Sequence, residues 1–181
     1  MRIISGQYRG KKLFSPSSDK VRPTSDRARE ALFNILHATL ENPWPEYRFL
    51  DVFGGTGAVG FEALSRGAKQ VCLIDIDPQT ILKNAALFPA EQKHIKIIRA
   101  DAMHLPLAVE AYDIAFLDAP YQKGLSEKAL LQLHEQKWLK NKALCLVEVE
   151  KSEELSVPPC YQIFDERLYG LAKIIFMRYL P

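Results

Sequence analysis

The chain has 181 residues, of which 48% are hydrophobic and 25% are charged. This balance is typical of a folded globular protein and excludes the disordered, collagen-like and coiled-coil classes. The length predicts one domain over residues 1–181, because a chain of this size buries roughly 70% of its unfolded surface in a single core. No apolar run reaches the ~18 residues of a membrane helix, and the first residues lack the pattern of a secretory signal. We therefore expect a cytoplasmic protein with no membrane partner.

Positive charge is concentrated at the start of the chain. Residues 1–30 contain eight basic and three acidic side chains, a net charge of +5, whereas the other 151 residues have a net charge of −3. A basic segment on an acidic body is typical of binding to a polyanion such as a nucleic acid. An ordinary solvated surface hairpin is the alternative. The candidate RNA-binding residues are Arg2, Arg9, Lys11, Lys12, Arg22 and Arg27.

The first predicted elements are a basic hairpin and a helix. Short apolar runs around a glycine-containing turn predict two strands, over residues 2–6 and 9–14, within a hairpin extension that covers residues 1–23. A helix is predicted over residues 24–42, because Thr24 or Ser25 can cap it and apolar residues then recur at helical spacing.

The core is predicted over residues 46–181. Apolar runs typical of buried strands alternate with helical patterns, which predicts an α/β fold with a mostly parallel sheet and helices on both faces. The predicted strands are residues 49–53, 71–74, 95–98, 114–117 and 143–149, and the predicted helices are residues 58–65, 81–88 and 125–133. Two last strands, over residues 161–167 and 172–179, predict an antiparallel hairpin that closes the sheet edge.

A glycine-rich turn follows the first core strand and opens a helix. Gly55, Gly57 and Gly60 satisfy G-x-G-x-x-G, and Asp75 ends the next strand twenty residues after Gly55. Glycines allow a ligand to approach the backbone, and a carboxylate at this place can accept hydrogen bonds from a ribose diol. The pattern predicts a nucleoside-containing cofactor at the strand ends and leaves NAD and S-adenosylmethionine open.

Two further aspartates bear on the choice of cofactor. Asp51 places a negative charge at the end of the first core strand, which is unfavourable beside a pyrophosphate and suits an amino-acid ammonium group or a water bound to it. Asp101 follows the third strand and can accept a hydrogen bond from an adenine amino group. A capping aspartate in a turn is the alternative for Asp101.

The tetrapeptide Asp118-Ala119-Pro120-Tyr121 ends the fourth core strand. The exocyclic amine of a purine is a poor nucleophile, and two acceptors that hold its N–H groups localise the lone pair toward an electrophile. The Asp118 carboxylate and the Ala119 carbonyl can be those acceptors, Pro120 restrains the backbone, and Tyr121 can stack on the base. A turn with a packed tyrosine is the alternative interpretation.

Cysteine and histidine give no indication of a metal site. Cys72, Cys145 and Cys160 lie far apart, and the four histidines are scattered along the chain. These spacings are typical neither of metal ligands nor of a disulfide framework. We expect no metal.

Taken together, these segments resemble the bacterial 16S ribosomal RNA guanine-N2 methyltransferases, a branch of the class I S-adenosylmethionine-dependent enzymes with an Asn/Asp-Pro-Pro-Tyr/Phe motif. The resemblance covers the whole chain and is most specific over residues 2–13 and 22–34, which include Arg-Ile-Ile-Ser-Gly and Arg-Pro-Thr-Ser-Asp-Arg. It implies a Rossmann-like class I methyltransferase fold with S-adenosyl-L-methionine as cofactor. It also implies 16S rRNA of the assembled or assembling small ribosomal subunit as partner; we further expect a monomer.

The resemblance carries roles to particular residues. It implies cofactor contacts for Thr24, Asp51, Phe53, Gly55, Gly57, Asp75, Ile76, Asp101, Ala102 and Asp118. Among these, Asp75 would bind the ribose and Asp101 would lie near the adenine. The catalytic motif would be Asp118, Ala119, Pro120 and Tyr121, with Ala119 in place of the first proline of the family motif.

The implied reaction is direct transfer of the sulfonium methyl group to guanine N2, without a metal or a covalent enzyme intermediate. Methylation of adenine N6 in DNA or RNA is an alternative, because the same tetrapeptide serves that chemistry. A dinucleotide-dependent oxidoreductase and a noncatalytic ribosome-assembly factor with this fold are also candidate functions.

Overall fold

The computed structural model describes residues 1–15, 26–121 and 123–181, and its described strands form one seven-stranded sheet. The strands are β1 (Arg48–Val52), β2 (Gln70–Asp75), β3 (Ile95–Arg99), β4 (Tyr112–Asp118), β5 (Leu139–Glu150), β6 (Tyr161–Tyr169) and β7 (Ala172–Tyr179). Their order in the sheet is β3-β2-β1-β4-β5-β7-β6. Neighbours from β3 to β5 pair in parallel, whereas β7 is antiparallel to both β5 and β6. The mostly parallel sheet and its antiparallel C-terminal hairpin are confirmed.

Helices cover both faces of the sheet. They are α1 (Asp26–Thr39), α2 (Ala58–Ser65), α3 (Gln79–Ala85) and α4 (Leu125–Glu135), with short 3-10 helices at Trp44–Glu46 and Pro89–His94. One buried cluster joins Leu32 of α1, Phe61 of α2 and Ile81 of α3 to one face. The other cluster joins Leu130 of α4 to the opposite face. Within the described ranges, none of the helices combines the length and the apolarity of a membrane span.

Burial explains why the core strands contain few polar residues. Phe49 of β1 belongs to the cluster on the α1–α3 face, and its neighbour Leu50 belongs to the cluster on the α4 face. Successive strand residues point to opposite faces, so a strand covered on both sides is apolar at almost every position. Polar side chains therefore appear where the strands end, and this places them together at the carboxyl edge of the sheet.

The N-terminal segment forms an antiparallel hairpin, but its pairing is shorter than the two predicted strands. Arg2 and Lys12 form an antiparallel bridge, and the Ile3 amide donates to the Lys11 carbonyl at 2.9 Å. The amides of Ile4 and Ser5 donate to the buried carboxylate of Glu62 on α2, at 2.8 and 3.0 Å. Because Glu62 accepts these donors, the ladder stops after residue 3 and the segment docks along α2.

Some predicted boundaries of the elements differ from those of the structure. Helix α1 ends at Thr39, three residues before the predicted end, and its predicted cap Thr24 lies outside the described residues. Beyond Thr39, the amide of Asn42 donates to the Tyr47 hydroxyl at 3.0 Å, so the chain has already left the helix. Strand β1 ends at Val52 rather than at residue 53, because Phe53 has a left-handed backbone with φ 64°.

Candidate active site

The predicted aspartates and the glycine turn lie at the carboxyl edge of the sheet, arranged about the central strand β1. Val52 of β1 pairs with Ile74 of β2 on one side and with Leu117 of β4 on the other. Asp75 and Asp118 are each the next residue after these partners. The parallel register thus places one carboxylate on either side of the turn that follows β1.

The turn after β1 has an unusual backbone. Phe53, Gly55 and Gly57 all have left-handed conformations, with φ of 64°, 56° and 76°. A β-carbon at Gly57 would lie 2.5 Å from the ring of Phe61, so only glycine fits immediately before α2. The left-handed Phe53 costs on the order of 1–3 kcal/mol, a strain that clusters at ligand-binding turns. The backbone of this turn is therefore shaped for close approach by a ligand.

Asp75 is already oriented by the backbone. Its Oδ2 accepts a hydrogen bond from the Gly55 amide and its Oδ1 accepts one from the Asp77 amide, both at 2.8 Å. Each carboxylate oxygen can still accept a further hydrogen bond, so a diol can bind both at once. The neighbouring Ile76 is 67% exposed, which provides an apolar surface beside that diol position. This arrangement suits the ribose and base of a nucleoside.

Asp51 is buried below the turn, with 2% of its surface exposed. Burial raises the pKa of its carboxyl to about 7, opposed by the hydrogen bond from the Gly60 amide and reinforced by the charge of Asp75. That amide lies 2.9 Å from Oδ2 of Asp51. A cationic group brought to this edge would favour the ionised form of Asp51, as expected for an ammonium group and not for a pyrophosphate.

Asp118 lies beside a second acid that the sequence analysis did not identify. In the parallel register of β4 and β5, Asp118 is opposite Glu148, which is 6% exposed. The Tyr121 hydroxyl donates to Oε1 of Glu148 at 3.1 Å. Burial raises the pKa of Asp118 well above its usual range, and the charges of Glu148 and Asp51 raise it further. The sequence feature that could have revealed Glu148 is its position as the single acid in an otherwise apolar run near the end of β5.

The other two residues of the tetrapeptide differ in exposure. Ala119 is buried and Pro120 is exposed, while Tyr121 is half-buried. The tetrapeptide therefore continues directly from the strand end to the tyrosine that contacts Glu148.

The side chain of Asp101 caps the turn in which it lies. Its Oδ1 accepts a hydrogen bond from the Met103 amide at 2.9 Å, and its Oδ2 lies 3.1 Å from Nδ1 of His104. The Met103 amide and then His104 lower the pKa of Asp101. This matches the turn-capping alternative, and a contact with adenine stays a prediction. The adjacent Ala102 is buried at the same edge.

The predicted RNA-binding residues have different surroundings in the structure. Arg2, Arg9 and Arg27 line an open groove of about 560 Å³ between the N-terminal segment and α1. The ammonium group of Lys11 instead donates to the Leu87 carbonyl at 2.7 Å and lies over the rings of two aromatic residues. Lys12 is exposed, and Arg22 lies outside the described residues.

No group of three or more potential metal ligands occurs in the described part of the chain. The acids of the carboxyl edge are spread along neighbouring strand ends and are held by backbone amides or by tyrosine. Their arrangement favours hydrogen bonding to polar or cationic ligand groups.

Comparison with known proteins extends the similarity to the whole chain. A family model described as conserved hypothetical protein 95 matches residues 1–178. The ribosomal RNA small subunit methyltransferase D of Escherichia coli is 38% identical over 175 residues, with 94% of this chain and 85% of that protein covered. Its namesake in Haemophilus influenzae is 36% identical over 177 residues, with 94% and 90% covered. The solved structure of the Escherichia coli protein yhhF has a TM-score of 0.83 and 34% identity, with 99% and 98% covered.

The burial of Asp51 predicts a stability that depends on pH. The folded pKa of about 7 lies above the unfolded value of about 3.9, so the stability provided by the neutral carboxyl is complete below pH 4 and is lost as the pH rises through 7. Asp51→Asn keeps an acceptor for the Gly60 amide and stays neutral. We therefore expect the difference in unfolding free energy between Asp51→Asn and wild type to increase by about 2 to 4 kcal/mol, in favour of the variant, from pH 4 to pH 8.

Denaturant unfolding across this pH range measures the difference. Asp77→Asn, which changes an exposed aspartate at the same edge, is the control and should follow the wild-type curve. Parallel curves for wild type and Asp51→Asn would contradict the expected burial effect.

Proposed function

Because this chain belongs to the family of the ribosomal RNA small subunit methyltransferases D, we propose that it methylates the N2 amine of a guanine in 16S rRNA, using S-adenosyl-L-methionine. The observation that carries this proposal is the position of Asp118 and Asp75 on either side of the turn after β1. One carboxylate suits the nucleoside of a methyl donor, and the other suits an amine that receives the methyl group.

The carboxyl edge fits S-adenosyl-L-methionine in three respects. Asp75 has two oriented oxygens for a ribose diol, and the exposed side chain of Ile76 can cover an adenine face. Asp51, with its pKa raised to about 7 mainly by burial, suits the ammonium group of the methionine part. When bound, this cofactor supplies a methyl group on a sulfonium, which leaves as the neutral thioether. Phe53 and Gly57, with their left-handed backbones, keep the turn open for its approach.

The acceptor side is formed by the tetrapeptide. Asp118 and the Ala119 carbonyl accept the two N–H groups of the guanine N2 amine, which localises its lone pair toward the methyl carbon. As the N–C bond forms and the S–C bond breaks, the nitrogen becomes positively charged. Asp118 stabilises this charge and then accepts the proton that the methylated amine releases. Tyr121 supports the base from its position at the end of the tetrapeptide.

The charge of the edge distinguishes this function from a dinucleotide-dependent oxidoreductase. Asp51 lies directly beneath the glycine turn, where a pyrophosphate would meet a buried acid. Hydride transfer also gives no role to Asp118 and Glu148, two acids on adjacent strands. Both observations favour a cationic methyl donor and an amine acceptor.

RNA binding is assigned to the groove and the exposed cations around it. Arg9 and Arg27 line the groove, and Lys12 is exposed on the same N-terminal segment. Cations of this kind bind flanking phosphates without base specificity. The target guanine must be unpaired or rotated out of a helix to reach Asp118, and a loop in rRNA lowers the cost of that rotation.

We expect Asp118→Ala to lower methyl transfer at least 100-fold and to change the affinity for S-adenosylmethionine by no more than a few-fold, because it loses an acceptor for the amine. Asp75→Ala should mainly weaken cofactor binding, since it loses the ribose contact. Cofactor affinity is measured by calorimetry, and transfer by labelled S-adenosylmethionine with small ribosomal subunits. An equal loss of cofactor affinity in both variants would contradict this division of roles.

The identity of the product tests the acceptor. The same assay is run with free 16S rRNA, small subunits and DNA, and the labelled nucleoside is identified after digestion. N2-methylguanosine from RNA supports the proposal. N6-methyladenosine would indicate the adenine alternative, and the lack of labelled product with every substrate would indicate a noncatalytic role.

Removing the positive charges of Arg9 and Lys12 by substitution with Gln should weaken RNA binding and lower the slope of log affinity against log salt. The expected decrease is about 0.7 to 0.9 for each phosphate that the variant no longer neutralises. The matched control replaces Lys128 and Lys137, two exposed lysines on the α4 side of the sheet, by Gln. An Arg9/Lys12 variant with the same salt slope as the control would show that the N-terminal cations do not bind RNA.

A further inference from the structure

Glu148 is a carboxyl group where the fold otherwise has apolar side chains. Its neighbours in β5, Val147 and Val149, are 0% and 1% exposed, and Glu148 itself is 6% exposed. Burial of a carboxyl is unfavourable unless other groups compensate for it, so a stable fold alone would favour an apolar residue here. The position of Glu148 at the active edge indicates a functional reason for the acid.

Glu148 lies close to both polar members of the tetrapeptide. The register of β4 and β5 places it opposite Asp118, the residue that ends β4. Its Oε1 accepts a hydrogen bond from the Tyr121 hydroxyl at 3.1 Å. This bond spans 27 residues of the sequence and joins the segment after β4 to β5. One carboxylate therefore contacts the tyrosine hydroxyl and lies opposite the acid of the tetrapeptide.

We propose that Glu148 is a positioning residue of the methyl-transfer site, which orients Tyr121 through its hydroxyl and holds a second negative charge against Asp118. The inference rests on the proposed function, because the charge on the amine nitrogen develops beside Asp118. A second carboxylate on the neighbouring strand increases the negative potential at that nitrogen without contacting the base.

The charged groups that act on Asp118 come from two neighbouring strands. Glu148 lies on β5 and Asp51 lies on β1. Burial and the charges of Glu148 and Asp51 all raise the pKa of Asp118. A raised pKa makes Asp118 a better acceptor for the proton of the methylated amine, and it moves the loss of activity in acid to a higher pH than for an isolated aspartate.

Glu148→Gln separates charge from hydrogen bonding, because glutamine keeps an oxygen acceptor for Tyr121. In this variant we expect the titration midpoint of Asp118 to fall, because a negative charge that raises it is removed. The midpoint is measured by NMR on protein with ¹³C-labelled aspartate carboxyls, and Asp118→Asn identifies the signal. We also expect the acid limb of kcat to shift in the same direction and kcat at neutral pH to fall on the order of tenfold, with little change in KM for RNA.

Tyr121→Phe is the complementary variant, because it removes the hydroxyl and keeps the Glu148 charge. It should raise KM for RNA several-fold and leave the acid limb of kcat at the wild-type pH. An unchanged KM in this variant would overturn the positioning of Tyr121, whether or not Glu148→Gln folds. A folded Glu148→Gln with the wild-type Asp118 midpoint would overturn the electrostatic part.

The NMR midpoint is measured without RNA or cofactor, which separates this inference from the proposed function. A lowered midpoint together with inactive wild-type protein would reject the proposed function and retain the electrostatic interaction between Glu148 and Asp118. An unmoved midpoint together with active wild-type protein would reject the role of Glu148 alone.

Discussion

The architecture of the site depends on the crowding of carboxyl groups at the ends of adjacent parallel strands. Asp51, Asp118 and Glu148 belong to β1, β4 and β5, which are consecutive in the sheet, and Asp51 and Glu148 are almost fully buried. Like charges in a poorly solvated place repel, so the edge is destabilised until a cationic or hydrogen-donating group arrives. In the reaction that we propose, such groups are the ammonium of the methyl donor and the amine that becomes positively charged. The repulsion within the fold thus favours the transition state.

A second connection joins the N-terminal segment to the turn after β1. The buried side chain of Asn84 accepts a hydrogen bond from the Phe14 amide at 2.7 Å and donates to the Thr56 carbonyl at 2.8 Å. Glu62 holds the other part of the segment through the amides of Ile4 and Ser5. Fully satisfied buried polar groups of this kind orient the elements that they join. The segment assigned to RNA and the turn assigned to the cofactor therefore belong to one hydrogen-bonded unit.

The sequence was sufficient for the sheet, because continuous apolar runs are local signals. Glycine spacing and Asp75 are local signals as well, and they were enough to predict the glycine turn and the strand end beside it. The role of Glu148 could not be predicted, because the order of strands in the sheet, which places β5 beside β4, is not a local property of the sequence. The length of the N-terminal strands was overestimated for a similar reason, because the amides of Ile4 and Ser5 bind Glu62, which is distant in sequence. The surroundings of Lys11 could not be predicted either. Its charge suggested RNA binding, but its ammonium group donates to the Leu87 carbonyl, which is distant in sequence.

A crystal structure of the protein with bound S-adenosylmethionine, or with its demethylated product, would show directly whether the acids of the carboxyl edge bind the methyl donor. We expect the ribose hydroxyls within hydrogen-bond distance of Asp75, the methionine ammonium beside Asp51, and the sulfur directed toward Asp118. A cofactor bound away from this edge, or with its sulfur directed away from Asp118, would contradict this expectation.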